Sequence, residues 1–243
     1  VLCGLIRAMD GNYNTKGTGH KTNATTWYDL TGNQNGAIMN GTSSHTASTV
    51  SGKWGTNYLE FNGSTDWVNL GQIDTSITNK ITLDAIVEVS DNTKTYGILS
   101  NIDAGGAEIC LSEGFPKINL WFEGDTSYTR ITAPNKIGKN TPTRITGIYN
   151  GKVLALYVNG ELAGSVTREN ATIHKPANNT VMAIGCNPTG SSAQNYYFKG
   201  KVYSAKIYNK GLSQSQIQQI WDVSSDGDNS ILAWRTQTGP YKV

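Results

Sequence analysis

Apolar residues at every second position are the feature that most restricts the fold of this chain. Residues 81–89 carry the clearest case, with inward positions Ile81, Leu83, Ala85, Val87 and Val89. A period of two is typical of a β-strand that buries one face. The same alternation predicts strands at 107–112, 118–122 and 128–132, with a turn over 113–116 between the first two. The chain is therefore expected to be rich in strands.

A run of hairpins is predicted in the second half of the chain. Strands are expected at 144–149, 153–158 and 161–167, joined by Asn150-Gly151 and Asn159-Gly160. Asn-Gly between two apolar runs is the strongest short signal for a β-hairpin. Many short strands separated by turn residues favour a sandwich or a barrel over βαβ units.

One short helix is predicted near the carboxyl end. Ser213 and Gln216 have the spacing of a capping box, and Ile217, Ile220 and Trp221 then fall on one side of a helix. The polar stretch that follows predicts a boundary, so we assign residues 1–223 to one domain. Residues 224–243 are expected to be a tail, either an edge strand or a linker.

The charge and hydropathy of the chain argue against two classes of partner. Twenty Lys and Arg against eighteen Asp and Glu give a net charge of +2, with no basic run dense enough to follow a phosphate backbone. Nucleic acid is therefore not an expected partner. No stretch of eighteen or more apolar residues occurs, so no membrane insertion is expected. The chain opens on Val1 without the features of a signal peptide, and we interpret it as a processed product or as a piece of a longer protein.

The three cysteines, Cys3, Cys110 and Cys186, are widely and irregularly spaced. An odd number without a pattern does not predict a disulfide framework, and no metal-ligand spacing accompanies them. We therefore expect three free thiols, and folding in a reducing cytosol.

Several segments resemble, in order and spacing, the laminin G-like jelly rolls of the concanavalin A-like lectin/glucanase superfamily. They include YLEFNGSTDWVNLG at 58–71, GIYNGKVLALYVNGELAGSV at 147–166, AIGCNP at 183–188 and YFKGKVYSAKIYNKGLSQSQI at 197–217. The resemblance implies an all-β fold, a jelly-roll sandwich of two antiparallel sheets with one short C-terminal helix. Trp27, Trp54, Trp67 and Trp221 are interpreted as packing residues.

No catalytic constellation is predicted. Hydrolases that the chain resembles place carboxylates at alternate positions of one strand, Glu-x-Asp-x-Glu, and here only Glu123 and Asp125 fit, without the third member. The three histidines are far apart, and no nucleophile elbow or phosphate-binding glycine loop occurs. We therefore assign no catalytic residue and predict that the chain is not an enzyme.

Calcium is the ion that the resemblance implies, but no residue is assigned to it. Many relatives carry an acidic pair near the start of the last long strand, where this chain has Tyr203 and Ser204. Asp10, Asp66 and Asp103 stand in loop-like contexts and are alternatives, although each also suits a turn-capping role. No cofactor is expected to be required.

The alternation also predicts a binding face. If the apolar residues of the central strands point inward, the opposite face carries Trp121, Glu108, Asn119, Glu123, Tyr128 and Arg130. An aromatic plate surrounded by polar groups suits a sugar ring. Packing of Trp121 beneath a neighbouring loop is the alternative. If these residues are not the site, loops 12–23 and 187–196 are the next candidates.

We therefore expect a non-catalytic carbohydrate-binding or adhesion module that binds a glycan on a cell surface. The resemblance implies neighbouring modules of a larger extracellular or virion-surface assembly, such as a phage tail or receptor-binding component. A structural decoration or assembly domain without glycan binding is one alternative, and a divergent glycoside hydrolase is another.

Overall fold

The structure, a computed structural model, describes residues 3–16, 19–73 and 77–225. Its strands are β1 (Leu5–Asp10), β2 (Thr26–Trp27), β3 (Gly36–Asn40), β4 (Ser43–Ser44), β5 (Leu59–Asn62), β6 (Asp66–Asn69), β7 (Ile81–Val89), β8 (Thr95–Ser100), β9 (Ala107–Ser112), β10 (Phe115–Leu120), β11 (Thr129–Thr132), β12 (Thr143–Tyr149), β13 (Val153–Val158), β14 (Glu161–Thr167), β15 (Ala183–Ile184), β16 (Asn187–Thr189), β17 (Ser192–Asn195) and β18 (Lys199–Tyr208). One α-helix, α1 (Gln214–Ser225), and a 3-10 turn at Ala177–Asn179 complete the described elements.

Two antiparallel sheets form the sandwich. Sheet I has the order β1-β18-β7-β12-β13-β14, with β5 also paired to β18. Sheet II has the order β11-β10-β9-β8-β15-β6-β3-β2, with β4 also paired to β3. The predicted all-β jelly-roll sandwich of two antiparallel sheets with a short C-terminal helix is confirmed.

The core lies between the sheets because the alternating residues of both turn inward. Leu83 and Val87 of sheet I and Ile109 and Leu120 of sheet II are completely buried. Gly147 shows how closely the layers approach, since a Cβ there would lie 2.3 Å from the Cδ1 of Ile118. The tight fit is typical of a close-packed interior.

The predicted turns differ slightly from the observed ones. Asn159 and Gly160 have φ angles of 51° and 80°, as a two-residue type I′ hairpin requires. The turn between β9 and β10 is of the same two-residue kind: it consists of Glu113 and Gly114, whereas the predicted turn ran over 113–116. Phe115 and Pro116, predicted as turn residues, already belong to β10. The strand therefore begins three residues earlier than predicted and ends at Leu120.

Helix α1 covers part of the outer face of sheet I. The capping box forms as predicted: Ser213 N–H donates to Gln216 Oε1 (3.0 Å), and Gln216 N–H donates to Ser213 Oγ (3.3 Å). Ile217 and Ile220 are buried against a cluster that includes Tyr157. The helix ends at Ser225, and residues 226–243 of the predicted tail lie outside the described residues. No helix in the described ranges has both the length and the apolar character needed to cross a membrane.

A buried ion pair fastens the same helix to sheet I. Arg144 donates from Nε to Asp84 Oδ1 (2.7 Å) and from Nη2 to Asp84 Oδ2 (2.6 Å), and its Nη1 donates to the carbonyl of Ile220 (2.6 Å). Burial opposes ionisation of Asp84, but the guanidinium of Arg144 outweighs it and keeps the pKa of Asp84 below its usual value. The side chains of Asp84 and Arg144, on this part of sheet I, thus make their contacts within the fold itself.

The outer face of sheet II has two halves. In one half, Trp67 of β6 and Ala183 of β15 point outward and are completely buried beneath a cover formed partly by hairpin β16–β17. Val181 and Cys186 complete this cluster, against which Ala193 of β17 also packs. In the other half, strands β9 to β11 carry polar residues outward. We call these regions the covered half and the open half.

Candidate functional site

Two rows of outward side chains cross the open half. Strand register places Arg130 of β11, Asn119 of β10, Glu108 of β9 and Ser100 of β8 side by side in the first row. The second row consists of Thr132, Lys117, Cys110 and Gly97 on the same four strands. Directly opposed residues on neighbouring strands have Cβ atoms about 5 Å apart, so each row is a continuous strip of contacts.

A groove of about 190 Å³ lies over these rows. Three of the predicted site residues, Glu108, Asn119 and Arg130, line it. Lys117 and Cys110 from the second row also line it, as does Tyr196 from the segment after β17. The predicted face is therefore present, and half of the predicted residues meet in one concave site.

Glu108 and Asn119 form the floor of the groove. Asn119 Nδ2 donates to Glu108 Oε1 (2.6 Å), and Ser100 Oγ donates to Glu108 Oε2 (3.3 Å). Asn119 is only 7% exposed, yet its Oδ1 accepts no hydrogen bond. A buried acceptor without a donor is costly, so this oxygen is a natural contact for a ligand hydroxyl or N–H.

Burial also sets the ionisation behaviour of the floor. Removal from water raises the pKa of Glu108, although Asn119, Cys110, Ser100 and Arg130 act in the opposite direction. The pKa of the Cys110 thiol is raised well above its usual value by burial and by the neighbouring Glu108. The floor therefore combines an acceptor-rich carboxyl group with an unreactive thiol.

Tyr196 forms a wall of the groove. Its carbonyl accepts a hydrogen bond from the N–H of Gly97 (2.8 Å), which fixes the segment beside β8. Its side chain is 48% exposed, and its φ of 55° lies in the left-handed region that a bulky residue rarely adopts. An exposed aromatic ring held by strained backbone beside a polar groove is an arrangement typical of functional sites.

The other three predicted residues lie beyond the end of β10. The Trp121 ring is half-buried, meets Tyr128 edge-on with ring centroids 4.6 Å apart, and donates from Nε1 to the carbonyl of Asp125 (3.1 Å). Tyr128 O–H donates to the carbonyl of Gly105 (3.4 Å). Glu123 is exposed, with a carboxylate oxygen 4.0 Å from His174 Nε2. Trp121 thus packs against the loop that follows it, just outside the groove.

The aspartates considered for calcium all accept hydrogen bonds from nearby groups. Asp66 accepts from His45 (2.9 Å), Lys53 (2.6 Å) and the N–H of Asn62 (3.0 Å). Asp10 Oδ1 accepts from the N–H of Asn12 (2.9 Å), and Asp103 Oδ2 accepts from Thr180 Oγ1 (2.9 Å). Within the described ranges, no three His, Cys, Asp or Glu side chains are grouped as ligands for a metal ion.

The two positions where many relatives carry an acidic pair have other roles here. Tyr203 O–H donates to Glu88 Oε2 (2.7 Å), and Lys201 donates to Glu88 Oε1 (2.8 Å). Burial, with Glu88 as the next cause, raises the pKa of Tyr203. Ser204 is completely buried. The side chains at this place thus belong to the packing of sheet I.

A second, smaller cavity lies at one end of the sandwich. It measures about 90 Å³, and its lining includes Ile77, Ile81, Ile173 and Asn101. Its walls are mainly apolar, and His174 at its margin lies 6.1 Å from the Trp121 ring, centroid to centroid. This end cavity is separate from the groove and serves below as the alternative location for a ligand.

Two residues that line the groove were not named as site residues from the sequence, for different reasons. Lys117 begins the segment 117–123 of the predicted binding face, but it is not named as a site residue because the strand is predicted from residue 118; extending the alternation by one residue includes it. Tyr196 falls in the segment 187–196 that was named as an alternative, but its place beside β8 results from a contact with Gly97, 99 positions away in sequence. Local sequence patterns carry no signal for such a contact.

The described residues thus form a jelly-roll sandwich with a polar groove on the outer face of one sheet. The chain belongs to the concanavalin A-like lectin/glucanases superfamily, because a family model of that superfamily matches residues 62–218. The resemblance inferred from the sequence is thereby confirmed. No curated protein sequence matches the chain.

Solved structures share the fold at low sequence identity. Domain 4 of AbnA, an extracellular arabinanase of Geobacillus stearothermophilus in complex with arabinotriose, is 18% identical with a TM-score of 0.58, covering 88% of this chain and 97% of that chain. The ligand binding domain of botulinum neurotoxin serotype D in complex with N-acetylneuraminic acid is 16% identical with a TM-score of 0.59, covering 90% and 50%. The binding domain of Paraclostridial Mosquitocidal Protein 1 is 16% identical with a TM-score of 0.60, covering 90% and 52%. This chain spans about half the length of the toxin domains.

Proposed function

We propose that this protein is a non-catalytic carbohydrate-binding module whose ligand lies in the groove of the open half. The observation that carries the proposal is the unpartnered Oδ1 of Asn119, a buried acceptor on a residue that is 7% exposed and lines the floor of an open groove. Beside it, the carboxyl group of Glu108 offers further acceptor positions. A sugar supplies many hydroxyl donors to such a floor, and its apolar ring face suits the exposed ring of Tyr196.

The relatives support the same class of function. The arabinanase domain, matched over nearly its whole length, was solved with arabinotriose, and the toxin domain, of which this chain matches half, was solved with N-acetylneuraminic acid. Each is part of a larger protein, which favours an adhesion module within an extracellular or virion-surface assembly, such as a phage tail. That finer assignment is carried by the resemblance alone.

The charges in the groove favour binding over hydrolysis. Glycosidases of the usual kind need two carboxyl groups about 5 to 9.5 Å apart across the scissile bond. Among the residues that line the groove, Glu108 alone carries a carboxyl group. Glu123 lies outside it, beside His174. We therefore expect no turnover of β-glucans by the parent chain, and none to be lost in Glu123→Gln.

A glycan-array screen of the purified chain tests the proposal, with Asn119→Ala as the groove variant. Asn40→Ala is the matched control, because Asn40 is exposed at the end of β3. We expect the parent and the control to bind the same glycans and Asn119→Ala to bind them at least tenfold more weakly while still melting as one folded species. Failure of the parent to bind any glycan would favour an assembly domain instead. Equal binding by all three proteins would move the site out of the groove.

A further inference from the structure

We propose that the groove selects saccharides that carry an anionic group, a carboxylate or a sulfate, and that Lys117 and Arg130 hold that group. The inference rests on the proposed function, because it assigns a ligand class to the same groove. It starts from the two cations, which stand at one end of the site on β10 and β11.

The register fixes the spacing of the cations. Arg130 is directly opposite Asn119, and Lys117 is two residues before Asn119 on the same strand, so the cations are diagonal neighbours. Diagonal pairs in an antiparallel sheet lie about 7 to 8 Å apart, within reach of long side chains. Both side chains can therefore approach one anion between them.

Neither cation has an ion-pair partner among the described residues. The salt bridges within those ranges, formed at 4.0 Å or less, include neither Lys117 nor Arg130. Arg130 is exposed and Lys117 is half-buried in the groove lining. An arginine guanidinium has a planar fork of donors that matches carboxylate or sulfate oxygens, and lysine adds a point charge.

Among the residues that line the groove, the one carboxyl group lies across Asn119 from Arg130 and diagonally opposite Lys117. Glu108 lies on β9, two strands from Arg130, and neighbouring strands are about 4.8 Å apart, so their backbones are about 10 Å apart. Asn119 lies between them and donates to Glu108. The groove therefore has its guanidinium on β11 and its carboxyl group on β9, with Lys117 and Asn119 on β10 between them. A saccharide with an acidic substituent at one end and hydroxyl donors at the other matches this order.

Matched ligands test the proposal. Affinity is measured by calorimetry for sialyllactose against lactose, for oligogalacturonate against its carboxyl-reduced form, and for a sulfated oligosaccharide against its desulfated form. The parent should prefer at least one acidic member by about tenfold, and the preference should weaken with added salt. Lys117→Gln and Arg130→Gln should each lower that affinity about three- to tenfold, and by a larger factor than they lower the affinity for the neutral partner, so that the preference for the acidic member falls. Lys80→Gln, at an exposed lysine just before β7 of sheet I and with the same loss of charge, should change neither.

The possible outcomes separate the two proposals. Preference for the carboxylated or the sulfated member identifies which anion is held. Equal affinity for acidic and neutral partners overturns the anionic selectivity and leaves the carbohydrate-binding function intact. Acid preference that persists undiminished in the double variant Lys117→Gln/Arg130→Gln also overturns it. If no saccharide binds in the array or in calorimetry, the proposed function fails, and the selectivity fails with it.

Discussion

The two halves of the outer face of sheet II follow the same alternation of inward and outward residues, but one half is covered and the other is open. In the covered half the outward residues include an apolar cluster, and hairpin β16–β17 helps to bury Trp67 and Ala183 completely. In the open half the outward residues are polar, and a groove remains above Glu108 and Asn119. Apolar area is stabilised when it leaves water, whereas polar groups need partners wherever they are.

This difference explains why the groove occurs where it does. The cover ends near Tyr196, whose carbonyl bonds to Gly97 and whose ring stands at the boundary between the halves. Beyond that boundary the floor retains an acceptor without a donor at Asn119. We infer that the covered half supplies stability and that the open half supplies recognition.

The largest effect is expected from the covered half. Trp67 is completely buried and donates from Nε1 to the carbonyl of Gly41 (2.7 Å), so Trp67→Ala should lower the free energy of unfolding by about 3 to 5 kcal/mol. Urea unfolding of parent and variant measures the difference. A variant that unfolds within about 1 kcal/mol of the parent would show that the hairpin cover contributes little.

A smaller loss is expected for Trp121, at the end of the open half. Its half-buried ring and its hydrogen bond to Asp125 predict a loss of about 1 to 3 kcal/mol in Trp121→Ala. Glycan affinity should fall less than in Asn119→Ala, because Trp121 is not part of the groove lining. A loss of the size expected for Trp67 would place Trp121 in the core. A larger fall in affinity than in Asn119→Ala would make Trp121 the principal sugar contact, as the sequence predicted.

The pH dependence of the free energy of unfolding tests whether ionisation of the buried Glu108 carboxyl group destabilises the fold. Burial raises the pKa of Glu108 above its ordinary value of 4.5, so its protonated form is favoured by folding. That contribution is fully present below the unfolded-state pKa near 4.5 and is lost as the pH rises through the folded-state pKa. Stability of Glu108→Gln relative to the parent should therefore be greater at pH 7 than at pH 4. A relative stability independent of pH, measured by urea unfolding at both values, would mean that the pKa of Glu108 is not raised.

The rates at which the cysteines react with a thiol reagent give a further comparison of the open half with the covered half. Cys3 is exposed, Cys110 lies in the floor of the groove and is 5% exposed, and Cys186 lies in the covered half with no exposure. Burial raises the pKa of both buried thiols. A thiol reagent should therefore modify Cys3 first, Cys110 next and Cys186 last, and it should count three thiols after denaturation. A count of one would reveal a disulfide, and reaction of Cys186 before Cys110 would contradict the order of burial.

Local patterns in the sequence predicted most of the fold. Strands β7, β9, β13 and β14 have the predicted bounds, because alternation and Asn-Gly turns act over a few residues. The capping box of Ser213 and Gln216 likewise depends on a single helical turn. The start of β10 was misplaced because Pro116 was interpreted as a turn residue.

The candidate site was predicted only in part because it depends on contacts between distant segments. Alternation correctly places Glu108 and Asn119 on one face, and register brings Arg130 beside them. The depth of the groove and the position of Tyr196 result from the path of β16–β17. The alternation of apolar residues in the sequence does not predict that path. Why Trp121 falls outside the lining is also a tertiary effect, since its ring packs against Tyr128 beyond the strand end.

Amide chemical-shift mapping with a saccharide that binds the chain tests the central claim most directly. The claim predicts the largest shifts in β9, β10 and β11 and at Gly97 and Tyr196, with the covered half around Trp67 unchanged. The same titration of Asn119→Ala should require at least tenfold more saccharide to produce those shifts. Largest shifts around the end cavity, at Asn101, Ile173 and His174, with β9 and β10 silent, would contradict the account and place the ligand at the end of the sandwich.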